Sequence, residues 1–158
     1  MSYLKIIAPI SLTLSVFITS CSETKISQCQ RLITTVNQGT SLIDNKKGQQ
    51  VSTSLQLSKD LQNTTKKLQE LKFKDPKLTE YQTKFVKMFD DLSKAVEKAS
   101  KALADTKTAE ASVPGRIKIE NARKQIDTTL TNAANTAGKD LDNLGKELNT
   151  YCTQREGN

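Results

Sequence analysis

The residues best suited to chemistry in this chain are its three cysteines, Cys21, Cys29 and Cys152. Histidine, which is the commonest general base and a frequent ligand of transition metals, is absent from the sequence. Cys29 and Cys152 are too far apart in sequence to form a redox pair of the Cys-x-x-Cys kind. We therefore interpret the thiols as sites of modification or crosslinking and not of catalysis.

Cys21 follows an apolar segment that has the features of an export signal. Lys5 is the only charged residue of residues 1–20, and the run 6–18 is almost wholly apolar or hydroxylic but too short to span a bilayer. The string Ile18-Thr19-Ser20-Cys21 resembles the lipobox of bacterial lipoproteins. The resemblance implies that the signal is cut before Cys21, which carries diacylglycerol in thioether linkage and an acylated amine. The alternative is an ordinary signal peptide that leaves Cys21 in the mature chain.

Composition favours a single helical domain. The 158 residues include 24 basic and 17 acidic side chains, and only 35% of them are hydrophobic and 4% aromatic. With so few apolar residues, a core can form only if they recur in regular stripes. Glycine and proline are scarce while Lys, Leu, Ala and Gln abound, which favours helices over strands. The lysines are not interleaved with aromatic residues, which argues against nucleic-acid binding.

Periodicity predicts four amphipathic helices, over about residues 24–44, 49–71, 76–105 and 116–151. Turns are expected at 45–48, at Asp75-Pro76, where Asp75 caps the third helix, and between Thr106 and Gly115. The short connections predict an all-α fold, an antiparallel up-down-up-down four-helix bundle with a long third/fourth helix hairpin. The expected divisions are 1–20 for the signal peptide, 21–152 for the bundle and 153–158 for a disordered tail.

The expected core consists of one apolar stripe on each helix. The stripes are Ile26, Cys29, Ile33, Val36 and Ile43; Leu57, Leu61, Leu68 and Leu71; Leu78, Tyr81, Phe85, Met88, Leu92, Ala95, Ala99 and Ala102; and Ile119, Ala122, Ile126, Leu130, Ala133, Ala137, Leu141, Leu144, Leu148 and Tyr151. Thr40, Ser54 and Thr64 occupy core slots, which could indicate a loosely filled interior. Gly138 and Gly145 are interpreted as points of close helix contact, the alternative being a flexible segment.

The predicted topology places two features at one end of the bundle. The first helix begins where the fourth ends, so Cys29 and Cys152 are expected to meet, and an exported chain can oxidise them to a disulfide. Two unpaired buried thiols are the alternative. The same end carries a lysine cluster, Lys66, Lys67, Lys72, Lys74 and Lys77. We expect these lysines to contact the surface of the membrane that holds Cys21, the alternative being an ordinary solvated end.

The carboxylates favour structure over catalysis. Five acidic residues precede a lysine by four positions, a spacing that supports a helix: Glu80–Lys84, Asp90–Lys94, Glu97–Lys101, Glu120–Lys124 and Asp142–Lys146. The sequence has no pattern of convergent carboxylates, phosphate-binding glycine loop or cluster of metal ligands. We therefore expect no enzymatic activity, no cofactor and no metal.

The plan of the whole chain resembles uncharacterised small helical lipoproteins of cyanobacteria. The resemblance rests on the stretches 77–85 and 148–152, together with the lipobox and a cysteine near each end. It implies export and a lipid anchor, with the bundle on the periplasmic, lumenal or extracellular side, but no activity. The expected function is non-catalytic: a membrane-tethered interaction or assembly module at the envelope or a thylakoid-like membrane, with an unidentified protein partner. The alternative is a lipoprotein that binds a small apolar ligand between its helices.

Overall fold

Four α-helices account for most of the described chain. The computed structural model describes residues 23–45 and 51–154 and contains α1 (Lys25–Asn45), α2 (Val51–Glu70), α3 (Pro76–Thr106) and α4 (Val113–Thr153), with no strand in these ranges. The predicted all-α four-helix bundle with a long α3–α4 hairpin is confirmed. The predicted signal peptide, Cys21, most of the first turn and residues 155–158 lie outside the described residues. Thr153, predicted to begin the tail, ends α4 instead.

The core is built around α3. Phe85, Phe89 and Leu78 of α3 are fully buried together with Leu61 and Leu68 of α2. Helices α2 and α4 each pack on α3, whereas the Cα atoms of α2 and α4 stay more than 8 Å apart throughout the described ranges. Six of the eight predicted α3 stripe residues are buried, because the 3-4-3-4 spacing is regular over the whole helix. Leu92 and Ala95 are only partly buried, and Ser93 and Ser100, which the predicted stripe omitted, are buried.

Helix α1 buries most of its predicted stripe but is rotated from it. Cys29 and Val36 are buried as predicted, and Ile33 and Ile43 are partly buried against the core. Ile26 is 71% exposed, while Leu32, which the predicted stripe omitted, is completely buried. Leu32 and Ile33 are neighbours in sequence, so the apolar positions of α1 fit two overlapping stripes. Gly39 lies on the chosen face, and a Cβ there would come within 2.5 Å of the Phe89 ring and 2.9 Å of Thr64. The missing side chain lets α1 cross closely over α2 and α3 at this point.

Helix α4 begins at Val113 and not at Arg116 as predicted. The Ser112 hydroxyl caps it by accepting a hydrogen bond from the Gly115 N–H at 3.2 Å, and Pro114 fits in the first turn because its missing N–H needs no partner there. The Glu110 carbonyl occupies the place where a Cβ of residue 115 would lie. Glycine is therefore required at this position for the preceding loop to fold back against the helix.

The other two α4 glycines do not mark close contacts. An ideal Cβ at Gly138 or Gly145 would meet no atom within 4 Å, so the prediction of close helix packing there is wrong. Ile119 and Leu130, predicted as core residues, are also exposed. The cause is the long, open form of the hairpin, in which α4 is covered by α3 but not by α2.

The α3–α4 hairpin extends beyond α2. The Ser58 hydroxyl donates to the carbonyl of Ser93, and the Gln82 amide donates to the carbonyl of Leu68, which sets the antiparallel register of α2 and α3. In that register the start of α2 lies level with about Ser100, so the end of α3 and the first turns of α4 continue past it. We call this projecting part, residues 103–124, the hairpin tip.

Candidate functional site

The disulfide end of the bundle is where α1, the α2–α3 loop and α4 meet. The Sγ atoms of Cys29 and Cys152 are bonded, with the Cα atoms 5.9 Å apart and 123 positions between the residues in sequence. Cys29 is buried and Cys152 packs against the same core cluster. The predicted crosslink between the first and fourth helices is confirmed.

A buried glutamine that the sequence analysis did not single out ties this end together. Gln28 is only 3% exposed. Its side-chain oxygen accepts hydrogen bonds from the backbone N–H groups of Lys74 (2.7 Å) and Asp75 (3.3 Å), and its amide donates to the carbonyl of Glu23 (3.2 Å). All three contacts satisfy polar groups that burial would otherwise leave unpaired. The only sequence signal for Gln28 is its position beside Cys29.

Arg31 makes a second link from α1 to the loop. Its guanidinium donates to the carbonyl of Lys72 and to the Glu23 carboxylate, both at 2.8 Å, and it lies 5.3 Å from the centre of the Phe73 ring. The first described residue of the chain is thereby held against the α2–α3 loop. The position of the chain entering α1 is consequently set by side-chain contacts from both Gln28 and Arg31.

Asp75 joins the helix cap to α4. One carboxylate oxygen accepts from the N–H groups of Lys77 and Leu78, as the sequence predicts, and the other accepts from the Tyr151 hydroxyl at 2.6 Å. Burial raises the pKa of Asp75, but the bond from Tyr151, the two backbone bonds and the nearby Lys25 ammonium outweigh it and hold the pKa below the ordinary 3.8. Asp75 is therefore an ionised structural residue at neutral pH.

An open cleft of about 850 Å³ lies at this end. Its lining residues include charged side chains of both signs, Glu23, Lys25 and Lys74, but apolar atoms make up most of the exposed lining. The ammonium of Lys25 lies 3.9 Å from the centre of the Tyr151 ring, and Ile26 is the exposed aliphatic residue of the lining. The cleft lies at the surface and not between the helices, and its mixed lining suits an amphiphilic group better than a wholly apolar ligand.

The lysine cluster is exposed and lies at the disulfide end. Lys72 and Lys74 belong to the loop that Arg31 and Gln28 hold, and Lys66, Lys67 and Lys77 lie in the adjoining helix turns. Lys77 differs from the other four because the Glu80 carboxylate accepts a 2.7 Å hydrogen bond from it, which raises the pKa of Lys77 and offsets its charge. Cys21, the predicted lipidation site, lies outside the described residues, two positions before Glu23.

Four of the five carboxylates of α3 form ion pairs along its surface. Glu80 contacts Lys84 as well as Lys77, and the three further pairs on this helix are Lys87–Asp91, Lys94–Asp90 and Lys101–Glu97. The two lysines hold the pKa of Glu80 at about 2. No group of three or more His, Cys, Asp or Glu residues suited to a metal occurs in residues 23–45 and 51–154.

The polar core positions are satisfied within the protein. The hydroxyls of Thr40 and Thr64 donate to the carbonyls of Val36 and Asp60, each at 3.1 Å. Between α3 and α4, a small gap of about 60 Å³ lies beside Met88 and Leu92. These positions are therefore explained without a ligand between the helices.

Comparison with known proteins adds no relative: no protein-family model, curated protein or solved structure matches this chain. Among the helices that the structure describes, none has a stretch both long and apolar enough to cross a membrane.

Proposed function

We propose that this protein is a lipid-anchored, non-catalytic helical bundle that serves as an interaction or assembly module on the exported side of a bacterial membrane. The observation that carries the proposal is the arrangement of the disulfide end. The chain enters α1 there, four residues after Cys21, beside Lys72, Lys74 and the crosslinked cysteines. An anchor on Cys21 would therefore hold this end against the lipid. The disulfide supports an oxidising compartment, as export requires.

The lysine cluster supports the same orientation. Lys66, Lys67, Lys72 and Lys74 are exposed and lie within 4 Å of no carboxylate among the described residues. Free cations beside a lipid anchor strengthen binding to anionic headgroups by about 1 kcal/mol each. Exposed Ile26, close to Cys21 in sequence, can enter the interface beside them.

The alternative of an apolar ligand between the helices is less well supported. The gap between α3 and α4 has about 60 Å³, about a fifth of the volume of a small ligand pocket of about 300 Å³. The large cleft is open and lies at the surface of the disulfide end. The non-catalytic interpretation is supported by the α3 carboxylates, four of which are bound to lysines and do not converge on a shared site.

The test of the anchor is the chemistry of the mature N-terminus. Mass spectrometry of the protein from its native membrane is expected to show Cys21 as the first residue with a diacylglyceryl group and an acylated amine. Cys21→Ser is expected to release the protein from the membrane fraction, since stable anchoring needs the acyl chains. Cleavage at another position, with Cys21 unmodified, would contradict the proposal.

The lysine cluster is tested on vesicles with the mature chain carrying Cys21→Ser and no lipid. Replacing its five lysines with Gln is expected to weaken binding to phosphatidylglycerol-containing vesicles, and salt is expected to weaken the unsubstituted chain likewise. The matched control replaces five exposed lysines that lie outside both this end and the hairpin tip, Lys59, Lys87, Lys94, Lys98 and Lys101. Equal binding by the cluster variant and the unsubstituted chain would leave the lysines as a solvated surface.

A further inference from the structure

The hairpin tip, at the opposite end of the bundle from Glu23 and the disulfide, concentrates exposed aliphatic side chains. Seven large hydrophobic residues are exposed among the described residues, and four of them lie between residues 103 and 119: Leu103, Val113, Ile117 and Ile119. Val113 is 62% exposed and Ile117 is 53% exposed. Clustered exposed apolar residues of this kind mark a contact surface more often than scattered ones do.

The cations of the tip are unpaired, unlike those along α3. Arg116, Lys118, Arg123 and Lys124 are exposed, and among the described residues none of them has a carboxylate within ion-pair distance. By contrast, the α3 lysines at 84, 87, 94 and 101 each bind a carboxylate. The tip also carries three exposed carboxylates, Asp105, Glu110 and Glu120, against five cations including Lys107, so its charge is net positive. It therefore offers a net positive charge to an external anion, whereas the α3 lysines at 84, 87, 94 and 101 are neutralised by their carboxylate partners.

The tip is preformed. The loop before α4 is closed by hydrogen bonds from the Ala109 N–H to the Thr106 carbonyl and from the Ser112 N–H to the Glu110 carbonyl, and Lys118 donates to the Thr108 hydroxyl at 3.1 Å. A preformed surface loses little conformational entropy when it binds.

The shape of the tip favours a lipid surface over a protein groove. Val113 and Ile117 are four residues apart and share one face of α4, whereas Ile119 points about 200° away from Ile117, so the exposed aliphatic residues surround the tip and do not form one long stripe. A partner helix would need such a stripe, whereas a convex end with aliphatic side chains around it can enter the headgroup region of a bilayer. Cations interleaved with these residues then lie at the level of the phosphates.

We propose that the hairpin tip is a contact site for an anionic lipid surface other than the one that carries the anchor. The proposal rests on the proposed function for the position of the anchor. With 41 residues, α4 is about 60 Å long at 1.5 Å per residue, and it runs from the tip to the disulfide end. A bundle standing on its anchor thus holds its tip at about that distance from the anchoring membrane, where it can bridge to a second bilayer.

The bridging experiment uses Cys21 itself as the attachment point. The mature chain, with Cys29 and Cys152 oxidised, is coupled through the Cys21 thiol to maleimide lipid on phosphatidylcholine vesicles, which makes the test independent of native lipidation. Phosphatidylglycerol-containing vesicles are then added, and their association is followed by light scattering. Association is expected with these vesicles and not with additional phosphatidylcholine vesicles.

Two sets of substitutions test whether the cations and the aliphatic side chains of the hairpin tip make the contact with the added vesicles. Replacing Arg116, Lys118, Arg123 and Lys124 with Gln is expected to weaken vesicle association at least about tenfold, and Ile117→Ser with Ile119→Ser is expected to do the same. The control for charge replaces the α3 lysines 84, 87, 94 and 101 with Gln, which removes four cations, the same number as the tip variant removes. The control for exposed aliphatics combines Leu55→Ser with Leu130→Ser. Both controls are expected to retain association.

Three results would overturn the proposal: association by the tip variants equal to that of the unsubstituted chain, association independent of lipid charge, or a dimer in solution that the tip substitutions abolish. The last would assign the tip to a second copy of the chain. Because Cys21 is coupled chemically, failure here leaves the lipid anchor standing. Conversely, an unmodified Cys21 in the native protein would refute the proposed lipid anchor, and the vesicle-bridging experiment would still test the hairpin tip.

Discussion

The phenolic hydroxyl of Tyr151 donates a 2.6 Å hydrogen bond to Asp75, although 76 positions separate the two residues in sequence. The other oxygen of Asp75 caps α3, so one carboxylate joins the start of α3 to the end of α4. Tyr151 also packs against Tyr81, with ring centres 6.0 Å apart. The contact lies next to the disulfide and reinforces the same junction.

Tyr151→Phe is expected to lower the free energy of unfolding by about 1 kcal/mol, because it removes this hydrogen bond and leaves the ring packing intact. Asp75→Ala is expected to cost more, about 1–2 kcal/mol beyond that, since the helix cap is lost as well. Urea unfolding measures both values. Equal stability of Tyr151→Phe and the unsubstituted chain would show that the bond contributes nothing in solution.

Stability is expected to fall in acid between about pH 4.5 and pH 2. The folded pKa of Glu80 is about 2 against an ordinary 4.5, and that of Asp75 is also lowered, so the folded state binds fewer protons than the unfolded state in this range. The two carboxylates stabilise the folded state fully above their unfolded pKa values, and this stabilisation is lost as the pH falls through their folded pKa values. Glu80→Gln is expected to flatten the profile of urea midpoint against pH, and Asp142→Asn serves as the control. Salt should reduce the Glu80 effect, since that ion pair is solvent-exposed.

Two glycine-to-alanine substitutions in helices are expected to change the stability of the fold in opposite directions. Gly39→Ala should destabilise the fold by about 1–3 kcal/mol, because its Cβ would overlap the Phe89 ring. Gly138→Ala should stabilise it by up to about 1 kcal/mol, because the new Cβ meets no neighbour and alanine favours the helix. Thermal unfolding of both variants checks the pair. A stabilising Gly39→Ala would mean that α1 does not cross α3 so closely.

Reduction of the disulfide is expected to lower the melting temperature by about 10–20 °C. A link between residues 123 positions apart restricts the unfolded chain strongly, by about 4–5 kcal/mol in the chain-entropy model. The mature chain with Cys21→Ser isolates this effect. The double variant Cys29→Ser with Cys152→Ser should melt low and be insensitive to reductant. An unsubstituted chain with reduced thiols and an unchanged melting temperature would refute the stabilising role.

The sequence by itself determined the features that depend on local interactions. Helix periodicity, the Asp75-Pro76 start of α3 and the shared end of Cys29 and Cys152 all follow from neighbouring residues or from alternating helix direction, and each is confirmed. The regular stripe of α3 left one way to bury that helix, so its core residues were also predictable.

Only the tertiary structure decided which face of α1 is buried and how far the hairpin projects. Two overlapping stripes on α1 satisfy periodicity equally well, and the choice depends on the fit of Gly39 against Phe89. The exposure of Ile119 depends on where α2 begins relative to α3, which is a matter of register between helices far apart in sequence. Gln28 likewise gained its role from a loop 46 positions away. A residue's neighbours in sequence cannot specify such contacts, because these depend on the packing of separate helices.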